Sequence, residues 1–407
     1  MAHRNTPVPG VHEYYPLNEP AIGTHLSGPK PHLFQPLHIK GVTFKNRIFV
    51  APMCQYSSSD GHVTDWHLVH IGTLAARGVG AICMEATSVV PEGRISPEDA
   101  GLWKDSHIAP FKRVVDFSHA QGTKIGIQLA HAGRKASTYA PWVRPKAADA
   151  GASWVAQEDE GGWPTNVYGP SATPYAESFP HPKVMTEEDM KHVEDAFAAA
   201  AERCKAIGFD FIEIHAAHGY LIHEFVSPLS NTRTDQYGGP LENRLRFPTQ
   251  ILQRVREVWA DKPLFVRISA TDWAEGPEKS EDGAWLQWGV EQCNIWLAKM
   301  LSLGVVDLLD CSSGGNWQKQ TVKFFSDAHG FQVPLSEAIK QANPSLVVGA
   351  VGTITDPELA ESYLKAGKAD VIFLARELLR NPHWALSAAK TLGCKVKPAN
   401  QYEWGLW

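Results

Sequence analysis

The chain has 407 residues, of which 43% are hydrophobic and 20% charged, and it carries a net charge of −6. That is an ordinary globular composition: it offers no basic footprint for nucleic acid and no apolar run near the ~18 residues a membrane span needs. The six cysteines, Cys54, Cys83, Cys204, Cys293, Cys311 and Cys394, form no CxxC pair. This argues against a zinc ribbon, an iron–sulfur cluster or a disulfide framework, and it points to a reducing, cytoplasmic setting.

In chain order, residues 1–30 read as a Pro-rich, poorly ordered arm; they lack the apolar core of a secretory signal. Residues 31–407 read as one domain. The segment PLHIKGVTFKN predicts a hairpin that covers the N-terminal face of that domain. Eight short apolar strands then alternate with helices: RIFVAPM, AICMEATSV, KIGIQLAHA, FIEIHAA, LFVRISA, LLDCSS, LVVGAVG and VIFLAR. Several come after a Gly that suits a left-handed helix cap, as with Gly78, Gly122, Gly208, Gly304 and Gly367. The helix over Thr186–Ile207 carries one apolar stripe, Met190, Val193, Phe197, Ala200, Cys204 and Ile207, with Thr186 and Asp189 at capping-box spacing. In TDPELAESYLKAG, Asp356 is an N-cap and Pro357 the first helical residue. An open doubly wound sheet competes, but eight evenly repeated units favour a closed (β/α)8 TIM barrel. Long Gly- and Pro-bearing loops at about 134–185, after strand 3, and about 227–243, after strand 4, would hang at the C-terminal face, where barrel enzymes keep their active sites.

Polar residues at the strand ends are Cys54, Glu85, Gln128, His131, His215, His218, Arg267, Cys311, Ser312, Ser313 and Arg376. The most informative cluster is His215-Ala-Ala-His218-Gly-Tyr220. It admits three readings. The histidines satisfy local backbone groups; or they bind zinc with Glu85 or His131 as further ligands; or they are neutral donors aimed at a substrate oxygen, with a protonated phenol beside them. Spacing does not choose among them.

The stretch EIHAAHGYLIHEFVSPLSNTRTDQYGGPLENRLRF resembles the signature of the old yellow enzyme family of FMN-dependent ene-reductases. APMCQYSSSDGHVT resembles the first-strand motif of the bacterial-type, thermophilic-like subgroup, and IGIQLAHAGRKA, LFVRISATDW, LLDCSSGG, GAVGTI and ARELLRNP occur in family order after it. The resemblance implies a TIM barrel with tightly, non-covalently bound FMN. Arg267 and Gln128 would face the flavin's pyrimidine edge, and Pro52, Met53, Cys54 and Ala86 would lie against the ring. Gly352, Ala375 and Arg376 would hold the phosphate, with Ser313 and Gly314 as weaker contacts. Cys54 would tune the flavin, Tyr56 would touch substrate, and Trp66 and His67 are candidates for the pocket edge.

The implied reaction uses NADPH (or NADH) as transient donor and reduces the C=C bond of enones, enals or maleimides. His215 and His218 bond the substrate oxygen, and Tyr220 protonates the α-carbon. A redox-neutral isomerase on the same scaffold and a zinc hydrolase are the alternatives weighed against it. No dinucleotide domain is needed, and Gly78-Val-Gly80 is too partial to make one. A homodimer or homotetramer is expected. Bacterial-type members often end in Tyr-Glu-Arg-Gly-Trp, with the arginine reaching a neighbouring subunit. Here Trp404 stands at or beside that place, so a crossing tail would bring an aromatic wall in place of a charge.

Overall fold

The computed structural model describes residues 18–143, 153–322 and 328–405. The eight predicted strands form one closed, all-parallel barrel. They are β1 (Ile48–Val50), β2 (Ala81–Ser88), β3 (Lys124–Ala130), β4 (Phe211–Ala216), β5 (Leu264–Ser269), β6 (Leu308–Ser312), β7 (Val347–Ala350) and β8 (Val371–Leu374). Neighbours in sequence are neighbours in the sheet, and β8 closes the barrel against β1. Each strand is too short and too apolar to stand alone; burial on both faces makes it stable.

The strand period of two sorts side chains between the barrel interior and the helix layer. Toward the N-terminal end the interior is aromatic. Phe211 stacks on Phe265 at 4.4 Å and Phe49 meets Phe373 edge-on at 5.5 Å. The predicted hairpin, Leu37–Ile39 paired with Val42–Phe44, inserts Phe44 into this cluster, 4.8 Å from Phe49. The bottom of the barrel is therefore a sealed plug. Gly126 on β3 leaves room for it, because a Cβ there would sit 2.3 Å from the Phe211 ring. Two residues further along β3, β4, β5 and β6 the interior turns polar, with Gln128, Glu213, Arg267 and Asp310, all buried.

The helix after β3 runs Glu187–Ile207 with its predicted stripe buried. The Asp189 N–H donates to Thr186 Oγ1 (3.1 Å), and the Thr186 N–H donates to Asp189 Oδ2 (2.8 Å). Gly208 ends the helix at φ 98°. Of the predicted N-terminal arm, residues 1–17 lie outside the described residues, and Asn18–Lys30 is sewn to the C-terminus. His25–Ser27 pairs with Lys395–Val396, and the Asn400 N–H donates to Asn18 Oδ1 at 2.6 Å. Long loops other than the two predicted also stand over the C-terminal mouth. Beyond 131–186 (described to 143 and again from 153) and 217–240, residues 270–289 after β5 form one, closed by a Lys279–Trp285 bridge, and the connection after β6, 313–332 (described to 322 and again from 328), is as long. No described helix is long and apolar enough to cross a membrane.

Candidate active site

A cavity of about 590 Å³ opens at the C-terminal mouth. Of the residues named from sequence, Pro52, Cys54, Ala86, Gln128, His215, His218, Tyr220, Arg267, Ser312, Ser313, Gly352, Ala375 and Arg376 line it. Met53, Tyr56 and Gly314 do not. Met53 packs against the main core. Tyr56, at φ 46°, lays its ring edge-on to Trp142 (5.4 Å) while its hydroxyl is hydrogen-bonded to Cys54. Gly314 uses its backbone to tie the β5 and β6 ends together, donating to Thr271 O and accepting from Ser269 Oγ, both at 2.8 Å.

His215 is the last inward-facing residue of β4, and the chain then turns so that His218 and Tyr220 face it. The His215 ring lies 4.9 Å from the Tyr220 ring and 5.2 Å from the His218 ring, edge-on to both. Its Nδ1 accepts the Ala217 N–H at 3.3 Å, so the ring proton belongs on Nε2. His218 occupies a left-handed backbone conformation, φ 60°, uncommon outside glycine though histidine is among the residues that take it more readily. Its N–H donates to Ser269 Oγ (2.9 Å), its carbonyl accepts from the Lys135 amine (2.9 Å), and its Nε2 lies 2.7 Å from Ser312 Oγ. Burial, then the Arg267 charge, pushes both imidazoles well below the usual histidine range, so they are neutral near pH 7. Burial, reinforced by Cys54, pushes the Tyr220 phenol well above its ordinary value. The Cys54 thiol is also pushed up, by burial and by Asp99 and Glu85, and is no nucleophile at neutral pH.

At the inner end, Gln128 and Arg267 are each backed by a buried carboxyl. The Gln128 amide N–H donates to Glu213 Oε1 at 2.8 Å, and Arg267 Nε lies 3.1 Å from Asp310 Oδ2. Arg267 thus lines the cavity and is paired with a carboxylate as well. At the outer end stand Arg376, Gly352 (φ 120°) and the turn through Ala375.

Other strand-end candidates point elsewhere. A bulge between Met84 and Ala86 turns Ala86 inward and carries Glu85 off the mouth, where it accepts the Gln55 N–H (3.3 Å) and meets buried His67 at 3.1 Å. His67 is therefore a strut beneath the site, and Trp66 is exposed, its indole bonded to Gln55. His131 accepts the Gly133 N–H at 3.0 Å, and Cys311 faces the core. Among the described residues no three His, Cys, Asp or Glu side chains are grouped to hold a metal ion. Trp404 is fully exposed and does not line the chain's own cavity; Trp407 lies outside the described residues.

Sequence reasoning missed Lys135, Gln332 and Trp273. Lys135 is half of the Arg134-Lys135 pair in IGIQLAHAGRKA, but its reach to the His218 carbonyl depends on how two loops meet. Gln332 accepts from Ser313 Oγ (2.5 Å) and donates to Val351 O (3.0 Å), joining the β6 and β7 loops. No local pattern marks it.

The donor set suits FMN. One end offers a fixed cation and an amide, for a ring edge that gains negative charge on reduction; the other offers a cation and exposed loop backbone, for a phosphate. Pro52 and Ala86 give flat apolar surface between them, and the volume lies in the range of small-molecule sites. Comparisons with known proteins agree. Residues 32–394 match the NADH:flavin oxidoreductase / NADH oxidase family. An NADH:flavin oxidoreductase of Gibberella zeae is 45% identical over 403 residues, 98% of this chain and 95% of that protein. An NADPH dehydrogenase of Bacillus velezensis is 45% identical over 373 residues, 91% of this chain and 98% of its own length. In fold, the crystal structure of Old Yellow Enzyme from Pichia sp. AKU4542 superposes with a TM-score of 0.68 at 22% identity, over 91% of this chain and 90% of that one. The chain therefore belongs to the NADH:flavin oxidoreductase / NADH oxidase family, the family of the old yellow enzymes, and is an FMN-dependent NAD(P)H oxidoreductase.

Proposed function

We propose that this oxidoreductase is an ene-reductase, reducing the C=C bond of α,β-unsaturated carbonyl-type compounds. The observation that carries the reading is the triangle of two neutral imidazoles and one protonated phenol at the wall of a cavity with a fixed guanidinium at its inner end. The chemistry FMN supplies when bound is two-electron transfer from NAD(P)H to the alkene. Gln128 and Arg267 would hold its pyrimidine edge, Pro52, Cys54 and Ala86 its ring, and Gly352, Ala375 and Arg376 its phosphate, with Ser313 between them.

His215 Nε2–H and the facing nitrogen of His218 hydrogen-bond the electron-withdrawing oxygen of the substrate. Both rings are neutral, so they are donors of fixed orientation and do not lock the substrate as an ion pair would. They stabilise negative charge on that oxygen as the β-carbon is reduced, an effect typically worth about 10²–10³ in rate per donor. For His218 to donate from Nδ1, its Nε2 must accept from the Ser312 hydroxyl, and the 2.7 Å contact suits that role. Tyr220 then gives its phenolic proton to the α-carbon and is reprotonated from solvent. Tyr56 and Trp142 form an aromatic edge beside Cys54, which favours planar acceptors.

The test is a visible spectrum of the purified protein with anaerobic addition of NADPH, then of cyclohexenone or a maleimide. Flavin bands that bleach with NADPH and return with the alkene support the reading. Bands that return only with oxygen, and with no alkene tried, would sink it.

A further inference from the structure

Beneath Gln128 and Arg267 the barrel encloses two carboxyls and one guanidinium. Glu213 on β4 is fully buried; Gln128 from β3 donates to its Oε1, and the Cys83 thiol from β2 is hydrogen-bonded to the same carboxyl. Asp310 on β6 is equally buried, and its 3.1 Å contact with Arg267 Nε from β5 is a charge pair without hydrogen-bond alignment. The groups facing Glu213 are thus Cys83 from β2, Gln128, Arg267 and Asp310. One cation neutralises one carboxylate. A second carboxylate in so dry a place, held only by an amide N–H and a thiol with no cation of its own, is poorly compensated, so the layer retains a proton. Asp310 sits against the guanidinium, which leaves the proton to Glu213. Burial raises both acids; the Asp310 charge raises Glu213 further while Arg267 opposes it.

We propose that Glu213 is a positioning residue whose proton is coupled to the charge of the cofactor, so that reducing bound FMN above neutral pH draws a second proton from solvent onto Glu213. This rests on the placement of the flavin's pyrimidine edge at Gln128 and Arg267. The balance is two electrons and one proton to the cofactor, from NAD(P)H or a chemical reductant, and one solvent proton to the Glu213 carboxylate. The coupling is reciprocal: negative charge at Arg267 raises the proton affinity of Glu213, and a protonated Glu213 raises the reduction potential.

The experiment measures the midpoint potential of the FMN-loaded enzyme from about pH 6 to about pH 9.5, by equilibration with redox dyes. Each proton taken up by a two-electron couple contributes about 30 mV per pH unit. The expected plot starts near that slope and steepens toward about 60 mV per pH unit as pH rises, once Glu213 is ionised in the oxidised enzyme. Ionisation of the reduced cofactor itself flattens such a plot with rising pH and cannot steepen it. Glu213→Gln, the isosteric neutral variant, should keep a single shallow slope throughout. Asp310→Asn removes the charge that raises Glu213 and should move the steep segment to lower pH. A wild-type plot with no steepening, a steep segment that persists in Glu213→Gln, or no displacement in Asp310→Asn each overturns the assignment. The wild-type and Asp310→Asn plots decide it even if Glu213→Gln does not fold. Arg267→Ala separates the two levels: if neither potential nor FMN affinity changes, the cofactor placement fails; if the potential falls while the slope tests fail, only Glu213 does.

Discussion

Replacing Tyr220 by Phe removes one oxygen and leaves the ring that packs 4.9 Å from His215, so cavity shape and FMN binding should persist. The size of the loss depends on what else can deliver the proton. The Cys54 thiol and the Tyr56 phenol are hydrogen-bonded to each other, and Tyr56 does not line the cavity, so neither takes the place of Tyr220. Lys135 is pushed down to about 7, by burial and by Arg134, but its amine is bound to the His218 and Gly315 carbonyls. Water is the remaining donor, and Tyr220 is only half-buried, so water reaches this wall. General acid catalysis contributes about 10²–10⁴; with water as substitute the loss should fall in the lower half, about 10²–10³, or roughly 2.7–4.1 kcal/mol in barrier. Anaerobic stopped-flow spectroscopy separates the half-reactions. Flavin reduction by NADPH should stay within about threefold of wild type while reoxidation by cyclohexenone slows about 10²–10³-fold. Equal loss in both, or a reoxidation rate unchanged by the substitution, would refute the proton-donor role.

Truncating the two donors together, as His215→Ala with His218→Ala, should abolish the long-wavelength band that phenols give with bound flavin; a band of wild-type intensity would remove them from the substrate site. Asp272→Asn should destabilise the fold by about 3 kcal/mol, measured as a lower midpoint of urea unfolding, because it breaks a buried pair. Asp272 Oδ1 lies 3.0 Å from His223 Nε2, and Oδ2 accepts from Ser227 Oγ (2.6 Å) and Trp288 N–H (3.0 Å). Burial opposes its charge, but these partners outweigh it and hold the carboxyl below the usual range. Its contribution is therefore present above about pH 4, the unfolded value, and is lost as pH falls through the lower native value. The gap between variant and wild type should close only in acid. Gly126→Ala places a Cβ 2.3 Å from the Phe211 ring and should cost about 1–3 kcal/mol by overpacking; an unchanged unfolding midpoint would show that the aromatic plug is loose.

The barrel was legible because its evidence is local. In FIEIHA a period of two places Phe211, Glu213 and His215 on one face, and that alternation carries the chain from sealed plug through polar layer to reactive mouth. Caps at Thr186 and Asp356 were equally readable, since the partners lie three residues apart. The mouth loop 270–289 passed unremarked because the residues of a Gly- and Pro-bearing connection do not say how it folds over the mouth. The bulge in β2 could not be read at all: one extra residue there moves Glu85 from the mouth to His67, and no pattern in AICMEATS announces it. Sequence by itself thus determined the strand order, the interior face of a regular strand such as β4 and the cluster His215, His218 and Tyr220. The tertiary structure decided the electrostatics. Gln128 meets Glu213 from 85 residues away and Lys135 meets the His218 carbonyl from 83, and the charge each group holds depends on burial and neighbours that only the closed barrel brings together.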